Sequence, residues 1–141
     1  MSAYVLDTDI LSLYQLGNVT VCQRVASHSP NELAVTIITV EEQLSAWYTL
    51  RRRVKVREQI ARVYDRFAAN VHFLARLSIL SFSEAAIDQY EQLCRMKLGV
   101  KGNDLRIAAI ALNCDAVVVT RNHRDFSRVP NLQIEDWSVC E

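Results

Sequence analysis

Three glycines and two prolines in 141 residues leave little material for linkers or flexible hinges. No low-complexity tract and no internal repeat interrupts the chain, so residues 1–141 are expected to form a single domain. The four cysteines, Cys22, Cys94, Cys114 and Cys140, are scattered and contain no C-x-x-C pair. His28, His72 and His123 show no zinc-ligand spacing. Scattered free thiols fit a reducing cytoplasm. Neither sign of charge is in excess, with 16 acids against 16 bases. Overall charge therefore gives no argument for a nucleic-acid or membrane surface, and any such argument must come from local clusters. Long hydrophobic runs are missing too: the opening run Ala3–Leu6 is cut by Asp7, which leaves no signal peptide or membrane span.

What is present is a core-forming composition, half hydrophobic. Ala3 to Leu6 reads as a buried strand, and Asp9 to about Leu16 as a short helix stopped near Gly17-Asn18. Leu33 to Ile38 is rich in β-branched residues and predicts a second strand. Thr39 is placed to cap a helix from Val40 to about Leu50, with Glu42 in its first turn. Val56, Ile60, Val63, Phe67, Val71 and Leu74 recur at steps of three and four, which is one apolar helix face. Ser78 to Leu80 fits a short strand. Ser83 fits the cap of a helix carrying Ile87, Tyr90, Leu93 and Cys94, ended by Gly99. Asn103 fits the cap of the helix Asp104–Leu112, apolar on most sides and hence buried. Ala116 to Val119 is a continuous apolar strand of the parallel type, and Leu132 to Ile134 an edge strand. This order predicts an α/β three-layer domain with a mostly parallel central sheet and helices on both faces.

Against this frame the carboxylates stand out. Asp7 ends the first strand, Glu42 follows the second, Asp104 opens the buried helix, and Asp125 lies just beyond Val117–Val119. Those positions share the carboxyl edge of a parallel sheet, where open α/β folds place their sites. Asp7 and Asp104 each have a plain alternative as helix caps. Several converging acids, however, repel by about 4 kcal/mol per pair at roughly 4 Å and an effective dielectric near 20. Lysine or arginine would neutralise them, and so would Mg²⁺ or Mn²⁺, which prefer carboxylate oxygen. Glu41 and Glu42 point about 100° apart on a helix, so only one faces such a site.

These blocks together resemble a PIN-domain ribonuclease, and most nearly the VapC-like toxins of toxin–antitoxin pairs. V-L-D-T-D-I-L-S is similar to the family's strand–Asp–Thr–Asn opening at Asp7. I-T-V-E-E-Q is similar to its second acid, and alignment on Thr39 selects Glu42. N-D-L-R-I-A-A-I-A-L resembles the third-acid helix at Asp104, V-V-T-R-N-H-R-D-F the segment carrying the fourth polar group, and N-L-Q-I-E-D-W the toxin carboxyl terminus. The resemblance implies a metal-dependent endoribonuclease in which Asp7, Glu42, Asp104 and Asp125 hold one or two Mg²⁺ or Mn²⁺ ions. A metal-bound water would attack phosphorus in line and leave 5′-phosphate and 3′-hydroxyl ends. Thr120 and Asn122 would orient water or phosphate. It also implies an RNA substrate, a cognate antitoxin and a homodimer. Two positions depart from the family pattern: Asp9 stands where Asn is usual, and Asn122 where many relatives have an acid.

Two other readings share these residues. A haloacid-dehalogenase-like phosphatase would use Asp7 as nucleophile and Asp9 as acid and base, although no late Asp pair follows a strand. A non-catalytic RNA- or protein-binding module would keep the acids as caps. The strongest charge run, with Arg51, Arg52, Arg53, Lys55 and Arg57 within seven residues, reads as a solvated helix end or as a contact for RNA phosphates or an acidic antitoxin segment. Trp47 and Tyr48 just before it read as packing residues. The apolar faces of the two middle helices exceed what a small sheet covers, which agrees with a dimer.

Overall fold

The computed structural model describes residues 3–140. Five short strands, β1 (Tyr4–Leu6), β2 (Leu33–Thr36), β3 (Ile79–Leu80), β4 (Val117–Val119) and β5 (Ile134–Glu135), form one sheet in the order β3-β2-β1-β4-β5. Every pairing is parallel, so the sheet is wholly parallel. Seven α-helices connect and flank the strands: α1 (Thr8–Gln15), α2 (Val19–Ala26), α3 (Ile37–Arg53), α4 (Arg57–Ala75), α5 (Glu84–Arg95), α6 (Gly102–Asn113) and α7 (His123–Phe126). Among the described residues no helix is long and apolar enough to cross a membrane.

Alternation along the strands sorts side chains between two cores. Val5 and Val118 join the buried residues of α5 and α6, including Leu93, Ile107 and Ile110. Leu6, Val35 and Val119 point the other way, toward Ile10 and Leu11 of α1, Val21 of α2, Leu74 of α4 and Trp137. Trp137 is fully buried and its indole nitrogen donates to Glu135 at 3.0 Å, which ties the chain end to the sheet. These two cores give the three-layer arrangement its layers.

Several local expectations hold for the stated reasons. Gly17 closes α1 in the left-handed region (φ +80°), where a Cβ is costly. The Ser83 hydroxyl accepts from the backbone of Ala86 and caps α5. Others need correction. The second strand ends at Thr36, and α3 starts at Ile37 rather than Val40. Thr36 caps it by accepting from the Thr39 backbone at 3.2 Å, so Glu42 falls in the second turn. Asn103 is not the cap of α6: Lys101 is, and the Asn103 side chain accepts from Arg106 at 3.0 Å. α5 ends at Arg95, with Lys97 already at φ +52°, before Gly99 is reached. The last strand sits at Ile134–Glu135 instead of Leu132–Ile134. Helices α2 and α7 were not expected at all.

Candidate active site at the carboxyl edge of the sheet

Asp7 leaves β1 directly and occupies the cap position of α1, yet its carboxylate caps nothing. It accepts instead from the Thr120 hydroxyl at 2.8 Å, one residue past the neighbouring strand β4. Register explains the meeting: Leu6 pairs with Val119, so the next residues on the two strands lie side by side. Both side chains are buried, Asp7 at 6% exposure and Thr120 at 0%. Burial pushes the Asp7 carboxyl up to about 7, against the pull of the Thr120 hydrogen bond, and the charges of Asp9 and Asp104 push it further the same way.

Glu42 is brought in by α3. Its Oε1 accepts from the Thr8 hydroxyl at 2.8 Å, and the Thr8 oxygen lies 3.1 Å from that of fully buried Thr39. Thr8 follows Asp7 in sequence, so the first two acids are fastened to adjacent residues. Glu41, by contrast, is exposed and turned aside. Asp104 rides in the first turn of α6, where the helix dipole favours a negative charge. Its carboxyl is nonetheless raised, first by burial and then by Glu42, Asp125 and Asp9. Burial is thus the first cause for both Asp7 and Asp104, and negative charge converging from neighbouring elements adds to it.

The β4–α7 turn ties the rest together. The Asn122 amide donates to Asp125 at 3.1 Å and, more weakly, to Asp104 at 3.4 Å. Its carbonyl caps α7 by accepting from the Asp125 backbone, and its own backbone N–H donates to Thr120. Thr120 and Asn122 therefore position carboxylates in this structure. Asp125 also lies 3.9 Å from the Arg128 guanidinium. Asp9 accepts from the Arg121 backbone at 3.2 Å and pairs with its guanidinium at 3.8 Å, while its other oxygen is buried without a hydrogen-bond partner. Thr8 and Arg121 were missed in the sequence. Thr8 could have been found from its place between two acids, whereas Arg121 carried no signal without the fold.

Among the described residues, no three carboxylate, imidazole or thiol groups close into a ready-made metal cage. That does not conflict with a hard divalent ion, which keeps several waters and is usually held through one or two protein carboxylates. The all-oxygen donor set, the raised carboxyls of buried Asp7 and half-buried Asp104, and the orphaned Asp9 oxygen fit such an ion.

The basic run lies apart from the acids. Arg51, Arg52 and Arg53 close α3, Lys55 sits in the link, and Arg57 opens α4. Ten residues of helix separate Glu42 from Arg52, about 15 Å. Arg51 is committed to packing over the Tyr64 ring at 5.3 Å. Arg52, Arg53, Lys55 and Arg57 are exposed. Trp47 stacks on Phe67 and Tyr48 meets the same ring edge-on, so both pack within the α3–α4 hairpin as expected.

The family model described as "PIN domain" matches residues 4–132. Ribonuclease VapC1 of Haemophilus influenzae is 28% identical over 143 aligned residues, covering 96% of this chain and 98% of that protein. Ribonuclease VapC2 of Rickettsia felis is 43% identical over 70 residues, a match that spans 46% of this chain and about half (52%) of that relative. Among solved structures, VapBC-1 from nontypeable Haemophilus influenzae superposes with a TM-score of 0.76 at 29% identity, covering 97% of this chain and 99% of that one.

Proposed function

The chain belongs to the PIN-domain family, and we propose that it acts within it as a divalent-metal-dependent endoribonuclease, the toxin of a toxin–antitoxin pair. The observation that carries this reading is the convergence of Asp7, Glu42, Asp104 and Asp125 at the carboxyl edge of the sheet, linked through Thr8, Thr120 and Asn122. Family membership removes the phosphatase alternative. Asp9 in any case engages Arg121 rather than standing free as an acid or base.

In this reading Asp7, Glu42 and Asp104 would hold Mg²⁺ or Mn²⁺, and Asp125 would complete the set. The ion, when bound, supplies charge for the scissile phosphoryl group and activates water. The protein's own contribution is preorganisation. Thr120 fixes one oxygen of Asp7 and Thr8 one oxygen of Glu42. Asn122 holds Asp104 and Asp125 at a common amide, so their separation is set before any ligand arrives. Burial of Asp7 raises the cost of its bare charge, which a proton or a bound cation would relieve. The protein is read as cytoplasmic and homodimeric, with an antitoxin as its partner; the likeness to a VapBC structure supports the partner.

The purified protein with Mn²⁺ should cut RNA internally and stop on addition of EDTA. Asp7→Asn should lower the rate at least about 10²-fold, the scale of losing a principal electrostatic group. Mn²⁺ should also raise the melting temperature of the wild type, since a ligand bound only by the native state stabilises it, and Asp104→Asn should abolish that rise. Absence of both cleavage and a cation response would leave a non-catalytic binding module.

A further inference from the structure

We propose that the RNA strand leaves the acid site along one face of α3 and is held by the exposed cations of the α3–α4 link. This inference rests on the ribonuclease reading and adds a docking path to it. Helical spacing puts Glu42, Ser45, Ala46, Thr49, Arg52 and Arg53 on a single stripe. The acid end of that stripe borders a shallow groove of about 500 Å³ lined by Glu41, Glu42, Ser45, Ala46, Thr49 and Asn103. Its small side chains, Ser45, Ala46 and Thr49, leave room for an extended chain, and the carboxylates Glu41 and Glu42 stand at its acid end. At the far end the Arg52 guanidinium lies 3.5 Å from the Thr49 hydroxyl, so the polar track runs without a break into the basic link.

Among the described residues, none of Arg52, Arg53, Lys55 and Arg57 forms an ion pair with a carboxylate. Arg51 to Arg53 close a helix, where positive charge is favourable, but Arg57 opens the next one, where the dipole disfavours it. A helix-capping role thus accounts for part of the run and not for the rest. Concentrating exposed cations in one link of a chain whose total charge balances at zero points to a polyanion. Continuity of the groove with Glu42 selects the substrate's own phosphates over an acidic protein segment. Arg51, engaged with Tyr64, is excluded from the contact. The span of about 15 Å from Glu42 to Arg52 corresponds to a few nucleotides beyond the scissile bond.

The test is salt-dependent binding of a fluorescent oligouridine in the Asp7→Asn background, which keeps the RNA whole. Combined Arg52→Gln, Arg53→Gln and Lys55→Gln should weaken binding by about tenfold or more and reduce the log–log salt slope by about 2, three lost contacts on a single strand. Thr49→Glu should weaken binding with every cation still in place, because it puts a negative charge in the middle of the track. Arg95→Gln, at the end of α5, serves as the control for net charge. An unchanged affinity and slope in the triple variant would overturn the proposal. So would a loss confined to a polyglutamate peptide, since the link would then be a protein-docking surface. Mn²⁺-dependent cleavage by the wild type is scored separately: binding shifts without cleavage keep the path and remove the nuclease, and cleavage without binding shifts does the reverse.

Discussion

Helices α6 and α4 differ in sequence, one apolar on most sides and the other along a single face, and the fold widens the difference. α6 has 12 residues, of which Leu105, Ile107, Ala108, Ala109, Ile110 and Ala111 are buried. α4 has 19, with only Val63 and Leu74 buried. Its expected apolar face is real in spacing, but Val56 and Val71 remain 52% and 44% exposed. The difference bears on how the candidate site is held. Asp104 stands on the helix that cannot move without opening the core, so its carboxylate is positioned by packing. α4 completes a hairpin with α3 that presents side chains outward, basic at its tip and apolar along its length.

The sharpest way to break this contrast is to hollow the anchored helix. Ile107→Ala should cost about 2–5 kcal/mol by urea unfolding, the range for truncating a fully buried branched side chain. The acid site should loosen with it, so the cation-induced rise in melting temperature should shrink as well. A loss under about 1 kcal/mol would mean that α6 is less of an anchor than its burial indicates.

A second test separates positioning from packing on the same helix. Asp104→Asn changes no volume and should lower cleavage at least about 10²-fold. In metal-free buffer its stability should equal or exceed that of the wild type, because a like-charged neighbour of Glu42 and Asp125 has been neutralised. Loss of both activity and stability would make Asp104 a structural residue.

The pH dependence reaches the same site from another side. Asp7 titrates near 7 in the folded chain and near 3.8 when unfolded. Between those values the native state binds the extra proton, so this group's contribution to stability is fully present below about 3.8 and is lost as pH rises through 7. With EDTA present, raising the pH from 5 to 8 should therefore lower the melting temperature, and Asp7→Asn should flatten that response. A wild type that gains stability over the range would contradict the burial of the Asp7 carboxyl, and the like charges beside it, read from the site.

How much of this was legible depended on whether the cause was local. Asp7 after a buried strand, the Ser83 cap and the buried face of α6 all follow from residues within a few positions of one another. The start of α3 did not, because Ile37-Ile38 carries the β-branched signature of a strand while the Thr36 hydroxyl claims it for the helix. α2 escaped because its eight residues bury only Val21, too little to make a period visible. At the site, the identities and order of the acids were readable. Their fastening was not: Thr120 meets Asp7 across 113 residues, and Asn122 meets Asp104 only because β4 and α6 are neighbours in space. The basic run read as one unit, and only the fold separates Arg51, held against Tyr64, from its exposed companions.

The smallest expected effect falls on the outer face of α4. Val71→Ser removes an apolar side chain that is already 44% exposed, so the isolated chain should change by no more than about 0.5 kcal/mol. Val63→Ala on the same helix, 7% exposed, should cost clearly more, and the ratio of the two measures how one-sided α4 is. The proposed homodimer makes this pair informative. If a second copy covers the outer face, Val71→Ser should lower the melting temperature more at tens of micromolar than at high dilution, since association stabilises by mass action. Light scattering at the two concentrations would then show a dimer for the wild type and a shift toward monomer for Val71→Ser. A concentration-independent melting temperature, with a monomer throughout, would leave that face of α4 open to solvent and remove it from any self-association.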